Sequence, residues 1–355
     1  HVDRVATGHT RCDQAETVLF RFLRGAGTAG LSAICPVTQT GLVRPLIAVD
    51  RAQVEQFLKD CSIPWREDST NFGFVFARNR IRHYLLPLLA REWNPAIVQT
   101  LSHTAEWALA EEIYWEAEID RLSATHLTLR NGAVLLETAA LRSLPLAAAR
   151  RLVRRAAEIV RRQRAAIEFA HVEAVLHLAE SSEGHGRIQP PGLDVIRSFN
   201  WVRFCEPARE PGLQTRNYTF AASIPAILPI PDEDFAISLE VVENSQDQKQ
   251  EESVYNRGMV WVDQERLSGP LTLRNWRPGD QYHPMGTGGE QKIKTLFQQF
   301  RVPLWERRHW PVLTDAQSIV WSRRFGPAAA VAAGPGTRRT LQIREIGIER
   351  QRVDV

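Results

Sequence analysis

The sequence predicts an α/β protein of more than one domain, and three observations carry that expectation. Strand-like and helical apolar patterns alternate through roughly the first 60 residues, the mark of α/β layering. At 355 residues the chain exceeds one ordinary domain of ~100–200 residues. The stretch Glu243–Glu252 holds no apolar residue and reads as a solvated linker or loop, beyond which strand and helix signals resume. With 44% hydrophobic and 24% charged residues, disordered, collagen-like and coiled-coil chains are excluded. No run of ~18 uncharged apolar residues occurs, which argues against a membrane-spanning helix. Cys12, Cys35, Cys61 and Cys205 are scattered with no C-x-x-C pair. Neither a disulfide framework nor structural zinc is expected, and reduced thiols in a cytoplasm are the default.

In chain order, Val2–Thr7 reads as a short buried strand that passes through Gly8-His9 into a helix. Ala15, Val18, Leu19, Phe22 and Leu23 mark the apolar face of that helix. Gly25, Gly27 and Gly30 end it in a flexible loop. Leu42–Leu46 is a second strand. Asp50 caps the next helix with Gln53 as its capping-box partner, and Arg78–Leu89 is a further amphipathic helix. Asn94-Pro95 opens a long helix to about Leu122. Leu127–Glu137 folds back on Asn131-Gly132, the strongest short hairpin signal. Arg150–Arg162 and His171–Glu180 are helical, Val195–Ser198 and Val202–Cys205 a β pair. From about Tyr255 a compact α/β unit follows, with a helix near Lys292–Phe300 and strands near Val312 and Val320.

Four stretches carry candidate chemistry. In Gly8 to Thr17, at a strand-to-helix junction where α/β ligand sites gather, Asp13 and Glu16 share one helical face. They suit a site, and equally the positive end of the helix dipole; His9 beside them is a site candidate, though alone it would read as a packing histidine. Arg24 with Gly25 and Gly27 suits an anion, or a plain helix C-cap. Asp68 to Asn71 is turn chemistry, and Arg78, Arg80, Arg82 and His83 crowd one helix start, fit for phosphates or a surface ion-pair face. Near the C-terminus, Arg277-Pro278-Gly279-Asp280 and Met285 to Gly289 lead to Lys292 and Lys294 without satisfying a Walker A loop. Trp276, Tyr282, Trp305 and Trp310 nearby could stack on bases, with core packing the favoured role. Net charge is only +3, yet residues 142–164 hold eight arginines against one glutamate. Such a stripe suits a phosphate backbone through counterion release; a solvated helix face could look similar.

Taken in order, these stretches resemble the bacterial tRNA(Ile)-lysidine synthetase family of the PP-loop ATPase superfamily. Its GH-x-x-x-DQ-x-ET, RG-x-G-x-x-GL, RPL, D-S/T-N and RN-x-IR segments are matched by Gly8–Thr17, Arg24–Leu31, Arg44–Leu46, Asp68–Asn71 and Arg78–Arg82. A distal RPGD pattern is matched from Arg277 to Val312. Cys12 stands where many members have a first aspartate, and no role is carried onto it. The family's SGG-x-DS loop is not found in the chain, so the resemblance implies a chain that begins midway through the ligase domain, is itself inactive, and exposes a sheet edge and apolar surface.

The resemblance further implies a partial PP-loop parallel-sheet domain (1–105), a mainly helical, basic tRNA-binding domain with a linker (106–250) and a small α/β C-terminal tRNA-binding domain (251–355). It implies a cytoplasmic ATP-dependent carbon–nitrogen ligase that adenylates C2 of the wobble cytidine of tRNA(Ile) with a CAU anticodon. The ε-amine of free L-lysine then attacks, changing decoding from AUG to AUA. Asp13, Glu16 and His9 would be catalytic; Arg24, Gly25, Gly27 and Arg78 would hold ATP or phosphate. Arg80, Arg82, Arg150, Arg151, Arg154, Arg155, Lys292 and Lys294 would contact tRNA. Mg2+ is expected with ATP, with no complete metal-ligand set in view, and a homodimer stays open. The alternatives are a non-catalytic tRNA-binding fragment and a related ATP-dependent tRNA-modifying enzyme such as a thiolase.

Overall fold

A computed structural model describes residues 3–66, 76–162, 167–207, 217–243 and 259–348 of the chain. The Asp68–Asn71 turn, Arg164 and nearly all of the Glu243–Glu252 stretch lie outside the described residues. Two compact units are present, His1–Leu122 and Ser123–Val355, and each has its own architecture.

The first unit runs β1 (Val5–Ala6), α1 (Arg11–Leu23), α2 (Thr28–Leu31), β2 (Leu42–Val43), α3 (Arg51–Asp60), α4 (Ala77–Arg80), a π-helical turn at Ile81–Leu85, α5 (Leu86–Glu92) and α6 (Ile97–His126). β1 and β2 pair in parallel, Val5 with Leu42. The first strand is shorter than the sequence reading had it and is exposed rather than buried, Val5 at 53%, because among the described residues its sheet has only these two strands. Asp50 and Gln53 do form the expected capping box of α3. The single helix expected over Arg78–Leu89 is interrupted. Pro87 has no N–H for the His83 carbonyl and its ring would press on it, so the turn before it widens, and Leu86 N–H donates to Ile81 O five residues back. The long helix starts at Ile97, since Asn94 first closes a turn, accepting from Ala96 N–H at its side chain and from Ile97 N–H at its carbonyl. Ala15, Ile81 and Leu86 form one small core, joined by Leu19 and Leu101; Val18, Ala33 and Ala105 form another.

In the second unit, β3 (Leu127–Arg130) and β4 (Ala133–Glu137) flank the expected Asn131-Gly132 turn, both residues at positive φ (48° and 70°). Next come α7 (Thr138–Ser143), α8 (Leu146–Arg161), α9 (Phe169–Glu180), β5 (His185–Ile188), β6 (Asp194–Ser198) and β7 (Trp201–Cys205). The hairpin and the β pair, separate in the sequence reading, join in one antiparallel sheet of order β3-β4-β7-β6-β5. The region is therefore helices laid on a sheet rather than mainly helical: alternation in short strands such as Trp201–Cys205 shows which face is buried, not which strand lies beside them.

The chain continues through β8 (Thr219–Ala222), β9 (Ala226–Pro229), β10 (Phe235–Glu243), β11 (Met259–Asp263), β12 (Leu271–Asn275), β13 (Gln281–Tyr282), β14 (Gln291–Lys292), α10 (Ile293–Gln299), α11 (Leu304–Arg307), β15 (Pro311–Thr314), β16 (Ile319–Ser322), β17 (Gly326–Pro327) and β18 (Arg339–Gly347). Sheets β11-β18-β10-β9 and β17-β16-β15-β12-β8 share one core. At its centre Phe297 meets Trp276 and Trp310 edge to face, centroids 5.0 and 5.2 Å apart. Trp310 is fully buried, its indole N–H donating to Ser322 Oγ, so core packing is the role of Trp310 and Tyr282. No described helix is long and apolar enough to cross a membrane.

Candidate active site

The turn after β1 delivers the chain to the start of α1, where Asp13 Oδ2 accepts from the Thr10 backbone N–H (2.8 Å) and hydroxyl (2.9 Å). One oxygen of Asp13 thus secures the helix start. The other turns toward Glu16, three residues on, and the two carboxylates meet Arg78 and Arg82.

Glu16 is wholly buried, and a lone carboxylate there would cost several kcal/mol. Three N–H donors satisfy it: Arg82 Nε to Oε1 at 2.5 Å, Arg78 Nε to Oε2 at 2.9 Å and Arg82 Nη2 to Oε2 at 3.0 Å. Both guanidinium groups also reach Asp13 Oδ1, each at 3.2 Å. The hydrogen bond that Arg82 donates to Glu16, with the charges of Glu16 and Asp13, outweighs partial burial and holds Arg82 still more firmly protonated than usual. Two negative and two positive groups make the cluster neutral overall. It is also layered, with Glu16 and Arg82 side chains inward (1% and 21% exposed) and Arg78 outward at 45%.

Of the residues the sequence singled out, Asp13, Glu16, Arg78 and Arg82 are thus brought together. Arg82, expected toward RNA, serves the carboxylates. Spacing puts Arg78 and Arg82, four apart, and Asp13 and Glu16, three apart, each on one helical face, without showing that the two faces meet. His9 is half-buried, its Nδ1 sharing a hydrogen bond with Thr7 Oγ1 at 2.8 Å. Arg80 is exposed. Arg24, Gly25 and Gly27 lie beyond the opposite end of α1, ~16 Å along the axis from Asp13 at 1.5 Å per residue. There Gly25, at φ 77°, donates its N–H to Phe22 O and ends the helix, and Arg24 stacks on Phe20 at 4.1 Å.

Apart from its place in Gly8–Thr17, Gln14 carries no distinguishing signal in the sequence. Its buried amide clamps the backbone of Ile34, donating to the carbonyl at 3.1 Å and accepting from the N–H at 2.9 Å, which ties the chain after α2 to the acidic helix. Arg11 likewise joins α1 to the start of α3 through Asp50 at 2.6 Å.

In the second unit, the arginine helix α8 buries Leu152, Val153 and Val160. Arg150 pairs with Glu173 (2.8 and 3.1 Å) and lies over Phe169. Arg142 donates to Ala179 O at the end of α9. Arg151 and Arg155 are half-buried and have partners, whereas Arg154, Lys292 and Lys294 are exposed. Asp280 holds its own turn, accepting from Arg277 N–H at 2.7 Å and from Arg274 at 2.8 and 2.9 Å.

A PP-loop domain model matches residues 1–89, a TilS substrate binding domain model residues 136–202 and a TilS substrate C-terminal domain model residues 271–343. A tRNA(Ile)-lysidine synthase of Solibacter usitatus (strain Ellin6076) is 57% identical over 347 residues, 98% of this chain and 78% of that protein. Proteins of the same name from Geobacter sulfurreducens and Symbiobacterium thermophilum are 34% and 33% identical, each over 96% of this chain and over 71% and 72% of their own lengths.

Proposed function

The chain belongs to the tRNA(Ile)-lysidine synthase family of ATP-dependent ligases, and on that premise we propose that its residues serve the joining of free lysine to C2 of the wobble cytidine of tRNA(Ile) through an adenylated intermediate. The observation that carries this reading for the chain's own residues is the cluster of Asp13, Glu16, Arg78 and Arg82. The C2 oxygen attacks the α-phosphorus of ATP and pyrophosphate leaves, giving an AMP ester; the lysine amine then attacks C2, AMP leaves with the electron pair of the C–O bond, and the nitrogen sheds a proton. An amine with a pKa of ~10.4 arrives as ammonium and must be deprotonated to attack.

The layering divides the labour. Glu16, committed at both oxygens, and Arg82 form the anchor. Asp13 Oδ1, held only by 3.2 Å contacts, exchanges a guanidinium for the ammonium of lysine and takes up its proton. Arg78, nearly half exposed, turns to phosphate or to the leaving AMP. Magnesium, expected with ATP, finds no ready cage: among the described residues no group of three His, Cys, Asp or Glu is arranged to hold a metal ion, and the two carboxylates here are already engaged. Arg154, Lys292 and Lys294, exposed on the second unit, are the proposed tRNA contacts.

The test is ATP-dependent incorporation of labelled lysine into a tRNA(Ile) transcript with a CAU anticodon, by the chain joined to a segment carrying the SGG-x-DS loop, since the chain alone is expected to be inactive. Asp13→Asn should slow incorporation by about 10²-fold or more, the usual weight of a positioned general base, while tRNA binding is unchanged. Tight tRNA binding with no lysine transfer under any condition would instead favour a non-catalytic RNA-binding protein.

A further inference from the structure

The second unit holds a cleft of about 650 Å³ between its sheet β3-β4-β7-β6-β5 and α11. On its floor Leu135, Arg203 and Ile196 form one row across β4, β7 and β6, since Arg203 is the direct cross-strand partner of both neighbours. Trp305 of α11 lines the cleft as well, and the Arg203 guanidinium lies over its indole ring, 5.8 Å from the centroid. Both are half-buried.

Asp232, Glu233 and Glu306 line the same cleft, and each is met by a basic side chain. Arg130 faces Glu233 at 3.5 Å, Asp234 at 3.3 Å and Glu306 at 3.9 Å, and Glu306 meets Arg324 at 3.1 Å. Arg203 is different: among the described residues no carboxylate stands within ion-pair distance of it. A guanidinium drawn between apolar floor residues and an indole gives up water, and its five N–H donors outnumber the partners this packing supplies. A cation with spare donors beside an aromatic face in a cleft of this size fits a ligand that is planar at one end and anionic at the other.

We propose that this cleft binds one mononucleotide unit, its base stacked against Trp305 and its phosphate held by Arg203. The unit is either an unpaired nucleotide of an RNA strand or a free nucleotide; the cleft chemistry is common to both. The RNA arm rests on the reading of tRNA as substrate, the free-nucleotide arm does not.

The experiment measures binding of AMP and, separately, of a tRNA(Ile) transcript to the full chain and to Arg203→Gln, Trp305→Leu and Trp305→Phe, with folding checked by circular dichroism. Trp305→Phe keeps a stacking face and should stay near wild type, whereas Trp305→Leu, apolar but not aromatic, should lose at least about fivefold in affinity. Arg203→Gln should weaken binding and lower the salt slope by about one phosphate contact; Trp305→Leu should leave that slope alone. AMP binding that follows this pattern supports a free-nucleotide site, and the pattern with tRNA alone supports an RNA site. Should Trp305→Leu bind both probes as the wild type does, or Trp305→Phe fall with it, the inference is overturned. Should Arg203→Lys fold yet bind like wild type while Arg203→Gln fails to fold, the phosphate role stands as a point charge; loss of the salt-slope difference in both overturns it. Failure here leaves lysine transfer by the Asp13 site untouched, and failure of lysine transfer leaves AMP binding measurable.

Discussion

Glu16 is the residue whose removal should be felt most. Its carboxylate is buried and takes three N–H bonds from Arg78 and Arg82, so Glu16→Leu leaves two cations facing only Asp13. Breaking a buried ion pair from one side costs ~3–5 kcal/mol, and we expect the low end, near 3, because Arg78 is half exposed. Arg78→Gln should instead cost no more than about 1 kcal/mol, as exposed pairs do. Urea unfolding of the two variants separates them; equal losses would contradict the inner and outer layering. The three-residue spacing made Asp13 and Glu16 legible as one helical face, with Arg78 assigned to phosphate apart from them. The reach of Arg82 to Glu16 and the clamp of Gln14 on Ile34 span 66 and 20 residues, distances over which local spacing carries no information.

Among the elements, caps and turns were the most readable parts because their causes are local. Asp50→Ala should remove the α3 capping box and the Arg11 pair together, costing ~1–2 kcal/mol; a loss below the error of a thermal melt would deny the cap its weight. The turn between β15 and β16 gives a pH prediction. Burial alone would push Asp315 upward, but N–H bonds from Ser268, Gln317 and Ser318 prevail and hold its carboxyl below the usual range. A carboxylate with a depressed folded-state pKa stabilises fully above its ordinary value of ~3.9, and that stabilisation is lost as pH falls through the folded value. Asp315→Asn should therefore flatten the acid limb of the stability profile below about pH 4 and change little near neutrality in that slope. The arginine helix is the counter-example. Eight arginines between 142 and 164 looked like one basic stripe, yet Arg142 caps a neighbouring helix and Arg150 pairs with Glu173. Composition counts charges without saying which are already spoken for.

For the molecule as a whole, residues 123–355 behave as one packed unit, and the hairpin tips of the five-stranded sheet are what fasten it. Asn131 donates to Asp232 O, Arg130 meets Asp234 and Glu306, and Leu304 N–H donates to Ser198 Oγ. Hydrogen exchange should find β6 and β7 protected to the same degree as β15 and β16, and Arg130→Ala should lower the protection of the first pair relative to the second. Equal protection in the variant would mean that the apolar contacts suffice. By itself the sequence determined the α/β class, the capped helices, the Asn131-Gly132 hairpin and the family, because each is written in residues close together or in an ordered set of short motifs. Only the tertiary structure decided that Arg82 belongs to the carboxylates, that Arg24 stands a helix length away from them, and that two separate β pairs close into one sheet. Those outcomes depend on which distant segments pack together, and packing is settled by shape and burial across the whole chain rather than by local pattern.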